Sequence, residues 1–182
     1  MPIASRIEEK IDIPSDVELT IEGDMITAKG ENGEVTRSFS YPGIKIHKED
    51  SQICVEMERP NKRQAALVGT IASHIRNMIK GVSEGFVYKL KMVYSHFPMT
   101  TKVQGNEIHV ENFLGEKIPR KTKIVGKTSV TIKGAEIEVR GCNIEDVGQT
   151  AANLEQLTRV KRRDPRVFQD GIYLVERKGV RV

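Results

Sequence analysis

The chain carries an internal repeat, and this limits its folds more than any other feature, because two similar halves must each close a core of their own. In the first half Val17, Leu19 and Ile21 alternate, Gly23-Asp24 turns, Ile26 and Ala28 continue, and Gly33-Glu34 turns again. In the second half Val103 leads to Gly105-Asn106, then Ile108 and Val110, then Gly115-Glu116, each turn 82 positions on. Period-2 alternation bounded by Gly-Asp or Gly-Asn is a strand-turn-strand signal. The match resumes with Ile44 and Ile46 against Val130 and Ile132 at an offset of 86. Ile53 and Val55 then match Ile137 and Val139 at 84, and Gln64-Ala65-Ala66 matches Gln149-Thr150-Ala151 at 85.

Both copies run on into an amphipathic helix. The first, from about Asn61, sets Leu67, Val68, Ile71, Ile75, Met78 and Ile79 on one face and stops at Gly81. The second takes Asn143 as its N-cap, with Asp146 three residues on, and Ile144, Val147, Ala151 and Leu154 as its stripe. The expected fold class is α+β: two tandem similar domains, each a small antiparallel sheet packed with one helix. Residues 1–81 make the first and 82–182 the second, which opens on the strand-like alternation from Phe86 to Tyr94.

Charge tells the copies apart. The 182 residues hold 29 Lys+Arg and 25 Asp+Glu, a net +4 that is too small to name a partner. Residues 1–80 have a net charge of −2 and residues 81–182 one of +6, of which Gln156 to Val182 alone contribute +5. The change of offset from 82 to 86 implies four extra residues between Gly115 and Val130. That stretch holds Lys117, Arg120, Lys121, Lys123 and Lys127, and no acid falls between the first and last of these. Both additions to the second copy are cationic, so copy one reads as scaffold and copy two as scaffold with contacts added.

Several chemistries find no support. His47, His74, His96 and His109 have no metal-ligand spacing, so a metal site arises only through folding. Cys54 lies in an apolar strand and Cys142 at a loop, and two cysteines make no disulfide framework. Gly126-Lys127-Thr128 has the ending of a phosphate loop, but the required earlier glycine is Lys121. Glu56 with Glu58, and Glu136 with Glu138, share strand faces as solvated carboxylates do. No active site or cofactor is expected. The longest uncharged apolar stretch, Gln64 to Ile75, is far short of the ~20 residues that span a bilayer. Met1-Pro2-Ile3 to Glu9 holds no signal core, which points to a cytoplasmic protein without a membrane partner.

The tail from Gln156 reads as the end of the second helix, stopped by Asp164-Pro165, then an Asp170-Gly171 turn and a last strand, Ile172 to Val175. Its arginines suit phosphate, whose oxygens a guanidinium can grip in pairs. Phe168 and Tyr173 read as core anchors.

The pattern Gln156, Val160, Arg163, Arg166, Phe168, Asp170, Gly171, Ile172, Tyr173, Leu174, Arg177 resembles the signature of the ribosomal protein L6 family in its archaeal and eukaryotic form. The duplication, the stretch from Tyr88 to Tyr94 followed by His96-Phe97-Pro98, and the chain length are similar to that family as well. The resemblance implies a structural, non-enzymatic constituent of the large ribosomal subunit. Its implied partners are large-subunit rRNA, bound chiefly by the second domain, and neighbouring ribosomal proteins. It also implies a place near the sarcin–ricin loop and the docking region of translation GTPases. The expected rRNA contacts are Arg120, Lys121, Lys123, Lys127, Arg159, Lys161, Arg162, Arg163 and Arg166, with Arg177, Lys178 and Arg181 as second choices. The competing reading is a protein–protein adaptor built on the duplicated sheets, which leaves the basic additions unexplained.

Overall fold

The computed structural model describes residues 6–49 and 51–181. Met1 to Ser5 and Val182, which the sequence-derived domain limits include, lie outside the described residues. The chain divides into two compact units, Met1–Gly85 and Phe86–Val182.

Unit 1 contains β1 (Arg6–Asp12), β2 (Glu18–Glu22), β3 (Met25–Gly30), β4 (Gly33–Ser38), β5 (Ile44–Glu49), β6 (Gln52–Glu58) and α1 (Lys62–Ser83). These strands form two antiparallel sheets, in the orders β1-β6-β5 and β2-β3-β4. The core gathers Ile26 and Ala28 of β3, Ile53 and Val55 of β6, and Val68, Ile71, Ala72, Ile75 and Val82 of α1. At the start of α1, Asn61 and Gln64 close a capping box, each side chain meeting the other's backbone N–H at 2.9 Å. The helix does not stop at Gly81. Val82 continues the buried stripe, and its carbonyl accepts the Asn32 N–H at 3.0 Å. The terminating glycine is Gly85, at φ 75°, a left-handed position that favours residues without Cβ.

Unit 2 repeats this order with β7 (Phe86–Val93), β8 (Thr100–Gln104), β9 (Glu107–Glu111), β10 (Arg120–Lys123), β11 (Ser129–Lys133), β12 (Glu136–Gly141) and α2 (Ile144–Leu157). It then adds β13 (Gly171–Arg177) and β14 (Val180–Arg181). The β10-β9-β8 sheet answers β2-β3-β4, and β11-β12-β7-β13-β14 extends the other sheet by two strands beyond β7. Each unit is thus α+β, with two sheets where the sequence suggests one. Buried Leu90, Ile108, Phe113, Ile137, Leu154 and Ile172 build its core.

Strand register corrects the repeat. Val110 takes the place of Ala28, yet Ala28 pairs with Val35 whereas Val110 pairs with Arg120. The offset therefore widens from 82 to 85 between β9 and β10, and the insertion is three residues placed in that connection. Gly115 does not open a strand as Gly33 does; it closes a 3-10 turn, Phe113–Gly115, that buries Phe113 and Leu114. The β5–β6 and β11–β12 hairpins match at a single offset of 84, which sets Val130 against Ile46 rather than Ile44.

The tail departs from expectation in three places. The helix ends at Leu157, seven residues before Asp164, because the Thr158 hydroxyl reaches back to the Glu155 carbonyl at 3.3 Å and accepts the Ile172 N–H at 2.9 Å. The last strand is longer than Ile172 to Val175, because β13 pairs along β7 as far as Tyr88. Tyr173 is exposed rather than a core anchor, its hydroxyl donating to the Gln169 carbonyl at 2.9 Å.

Candidate nucleic-acid interface

From Arg159 to Asp170 the chain is irregular, and Asp164 organises it. Its carbonyl accepts from Val167 N at 3.1 Å and Phe168 N at 3.0 Å, and its carboxylate accepts the Arg166 amide at 2.9 Å. The same carboxylate pairs with the Arg166 guanidinium at 3.1 Å. The Phe168 ring stacks on His96 at 4.5 Å between centroids, with the Arg163 guanidinium 4.7 Å from its centroid. Phe168 is therefore engaged inside the fold, as an anchor should be.

Asp170 fixes the loop to the β7–β8 connection. Only 2% exposed, it accepts from the Ser95 amide (3.2 Å) and hydroxyl (3.0 Å), and from the His96 amide (3.2 Å) and Nδ1 (3.0 Å). Burial opposes its charge, but the hydrogen bonds from His96 and Ser95 outweigh burial and hold the carboxyl down to about 2. The sequence reading gave Asp170 only a turn. His96, Asp170 and Thr158 are the positioning residues it missed; the signals available were the place of Asp170 in the tail signature and the adjacency of His96 to the similar stretch Tyr88–Tyr94.

Arg120 changes role. Its guanidinium grips Glu116 at 2.6 and 2.8 Å, donates to the Leu157 and Arg159 carbonyls at 2.7 and 3.2 Å, and lies 4.4 Å from the Phe113 centroid. Just 19% of the side chain is exposed, so this cation is spent on joining the β9–β10 connection to the C-terminal end of α2. The Glu116 carboxyl is held low first by the hydrogen bond from Arg120, and further by Arg163 and Lys161, which places those two cations beside the clamp. Arg120→Ala is expected to destabilise unit 2 by about 1–2 kcal/mol in urea unfolding, more than any exposed cation in the tail.

Three connections thus interlock at one end of unit 2. Asn112 Nδ2 donates to the Pro98 carbonyl at 2.8 Å, tying the β9–β10 connection to the β7–β8 one. Phe97, Ile118 (80%) and Val167 are exposed on these three connections, which also carry exposed Lys117, Arg159, Lys161, Arg162, Arg163 and Arg166. Among the described residues no carboxylate forms an ion pair with Arg159, Lys161, Arg162 or Arg163. Arg6, Lys10, Lys45, Arg76 and Lys80 of unit 1, and Lys89, Lys102, Arg120 and Arg140 of unit 2, each face a glutamate.

The other expected contacts lie elsewhere. Lys121 and Lys123 are exposed on β10, opposite His109 and Glu107 of β9. Lys127 follows Gly126, which sits at φ 60° against Asp146 in the first turn of α2, about 20 Å of helix from Arg159. Arg177, Lys178 and Arg181 occupy the β13–β14 hairpin, about 20 Å along β13 from the loop. Arg177 donates to the Tyr88 hydroxyl at 3.0 Å, and Lys178 lies 5.4 Å from the Phe86 centroid.

Two tandem units of one topology, the second carrying a braced cationic loop, define a duplicated module whose work is positional. The ribosomal protein L6 family model matches residues 13–85 and again 97–171, once in each unit. The large ribosomal subunit protein uL6 of Methanosarcina mazei is 53% identical over 96% of this chain and 99% of its own. That of Archaeoglobus fulgidus is 53% identical over 93% and 89%, and that of Methanobrevibacter smithii 48% identical over 98% and 100%. The chain belongs to the ribosomal protein L6 family, and its role is structural rather than enzymatic. No helix among the described residues is long and apolar enough to cross a membrane.

Proposed function

We propose that unit 2 anchors this chain to large-subunit rRNA through the loop from Arg159 to Arg166, with the β9–β10 connection alongside and unit 1 as scaffold. The observation that carries this reading is the run of four exposed cations, Arg159, Lys161, Arg162 and Arg163, without ion-pair partners among the described residues, on a loop braced by Asp170, Phe168 and Arg120. Unpaired, fixed cations neutralise phosphates without first giving up an internal partner. A-form RNA shows proteins its phosphates and shallow groove, so spacing and shape rather than base edges set recognition. Two of the five non-glycine residues at positive φ among the described residues are cations of the expected set, Arg162 (59°) and Lys178 (53°). Backbone strain of this kind concentrates at functional positions.

Lys121 and Lys123 extend the surface along β10, while Lys127 and the β13–β14 cations form separate contacts. Arg120 drops out of the contact set as a clamp. A place near the sarcin–ricin loop and the translation-GTPase docking region, among neighbouring large-subunit proteins, belongs to this reading through the family.

The test is binding of the full chain to transcribed large-subunit rRNA across a potassium chloride series, with sedimentation of large subunits in parallel. Four to six phosphate contacts give a slope of roughly −3 to −5 in log affinity against log salt, and the chain stays with the particle through a moderate salt wash. A slope near zero, or a chain that never sediments with the subunit, would favour an adaptor and overturn the proposal.

A further inference from the structure

Away from the cationic loop, the β5–β6 hairpin gathers three side chains with metal-binding donors. His47 and Glu49 alternate along β5, and Cys54 lies directly across from His47 on β6. Ile53 and Val55 enter the core, so Cys54 points to the opposite face of the sheet, yet it is fully buried there. The Glu49 carboxylate spans the other two donors, with Oε1 3.1 Å from His47 Nε2 and Oε2 3.5 Å from Cys54 Sγ. All three donor groups lie within 4.8 Å of one another.

In a tetrahedral zinc site with bonds of about 2.0–2.3 Å, neighbouring donors stand roughly 3.3–3.7 Å apart. Glu49 stands near that separation from each of the other two donors, through a different oxygen in each case, and the half-exposed His47 ring can turn to bring the three groups round one ion. We propose that His47, Glu49 and Cys54 form a zinc site on the outer face of the β5–β6 hairpin, with water as a fourth ligand.

The donor chemistry selects the metal. Thiolate with imidazole suits zinc and disfavours magnesium and calcium, which take oxygen ligands. Thiolate and carboxylate together balance the charge of a divalent ion. The shared fold does not require this trio, because the matching positions of the β11–β12 hairpin are Thr131, Lys133 and Glu138. Zinc takes cysteine as the thiolate, so binding releases the Cys54 proton. The charged groups facing the site from β1 are Lys10, opposite Cys54 and paired with Glu8 at 3.1 Å, Glu8 itself, and Asp12, which lies opposite Gln52 and accepts from its side-chain amide at 2.6 Å. Glu56 of β6 and Lys45 of β5 follow one step along the same face.

Cobalt(II) titration of the full chain tests the site, because a cobalt–thiolate bond absorbs by charge transfer. The expected result is one cobalt per chain, with a charge-transfer band that zinc displaces. Cys54→Ser removes the band and Cys142→Ser keeps it. His47→Ala and Glu49→Gln alter exposed side chains, leave the melting transition in place and weaken binding at least about tenfold. A chain with no charge-transfer band, a band that survives Cys54→Ser, or one lost in Cys142→Ser overturns the proposal.

Discussion

Replacing Arg162 and Arg163 together with glutamate is expected to weaken binding to large-subunit rRNA by about 100-fold near physiological salt and to flatten the salt slope by roughly 1.5. Both guanidinia are exposed and neither has a carboxylate partner among the described residues, so neutralisation alone removes two phosphate contacts and reversal adds repulsion. The fold should survive. Arg163 gives up its position over Phe168, worth about 0.5–1 kcal/mol at an exposed site, while the His96 stack and the Asp170 anchor remain. Arg162 keeps its left-handed φ of 59° whichever long side chain it carries. Filter binding across a salt series, beside a urea melt of the same variant, separates the two effects. An unchanged affinity and slope in a folded variant would sink the loop as the contact surface. The paired reversal of Arg177 and Arg181 on the β13–β14 hairpin should cost less, because that hairpin is a separate contact about 20 Å away.

This prediction is sharper than sequence allowed, and the reason is the range over which each residue acts. The repeated hairpins were legible because their signals are local: alternation in β3 and β9, and glycines at φ 60° at positions 23 and 105. The cationic run was legible as composition. What was hidden is which cations are free. Arg120 looks like its neighbours in sequence, but its partners include backbone carbonyls at Leu157 and Arg159, 37 and 39 residues away, that no side-chain pattern reveals. Asp170 and Gly171 look like any turn dipeptide, and the groups that Asp170 binds lie 74 and 75 residues earlier. The β13 strand pairs with β7 across a similar distance, which is why its length and the two-strand extension of the sheet escaped the periodic reading. Gly81 has the look of a helix stop, but the hydrogen bond from Asn32 to Val82, 50 residues apart, ties down the end of α1 beyond it, which no local pattern shows.

Asp170 supplies the second large effect. Asp170→Ala is expected to destabilise unit 2 by about 3 kcal/mol, because it removes four hydrogen bonds to a buried carboxylate and leaves the Ser95 and His96 amides without their acceptor. The same residue gives the unit a signature in acid. Its carboxyl titrates at about 2 in the folded chain, below the ordinary value of 3.8, so its stabilisation is complete above pH 4 and is lost as pH falls towards 2. A shift of that size corresponds to at most about 2 kcal/mol. Asp170→Asn should therefore unfold more easily than the parent at pH 7, while the gap narrows at pH 2.5, where the unfolded parent already holds the proton and the folded carboxylate gains less from staying charged. Other carboxyls titrate over the same range, so the quantity to measure is the difference between the two proteins in urea midpoint at each pH. A gap that stays constant from pH 7 to pH 2.5 would show that the carboxylate's charge does not hold the loop. The RNA readout follows from the same geometry. Asp170 carries negative charge and sits beneath the cations, so its removal can weaken rRNA binding only by loosening the loop that spaces them. Asp170→Asn should accordingly lower affinity several-fold while leaving the salt slope nearly unchanged, the opposite pattern to Arg162 and Arg163, where affinity and slope fall together.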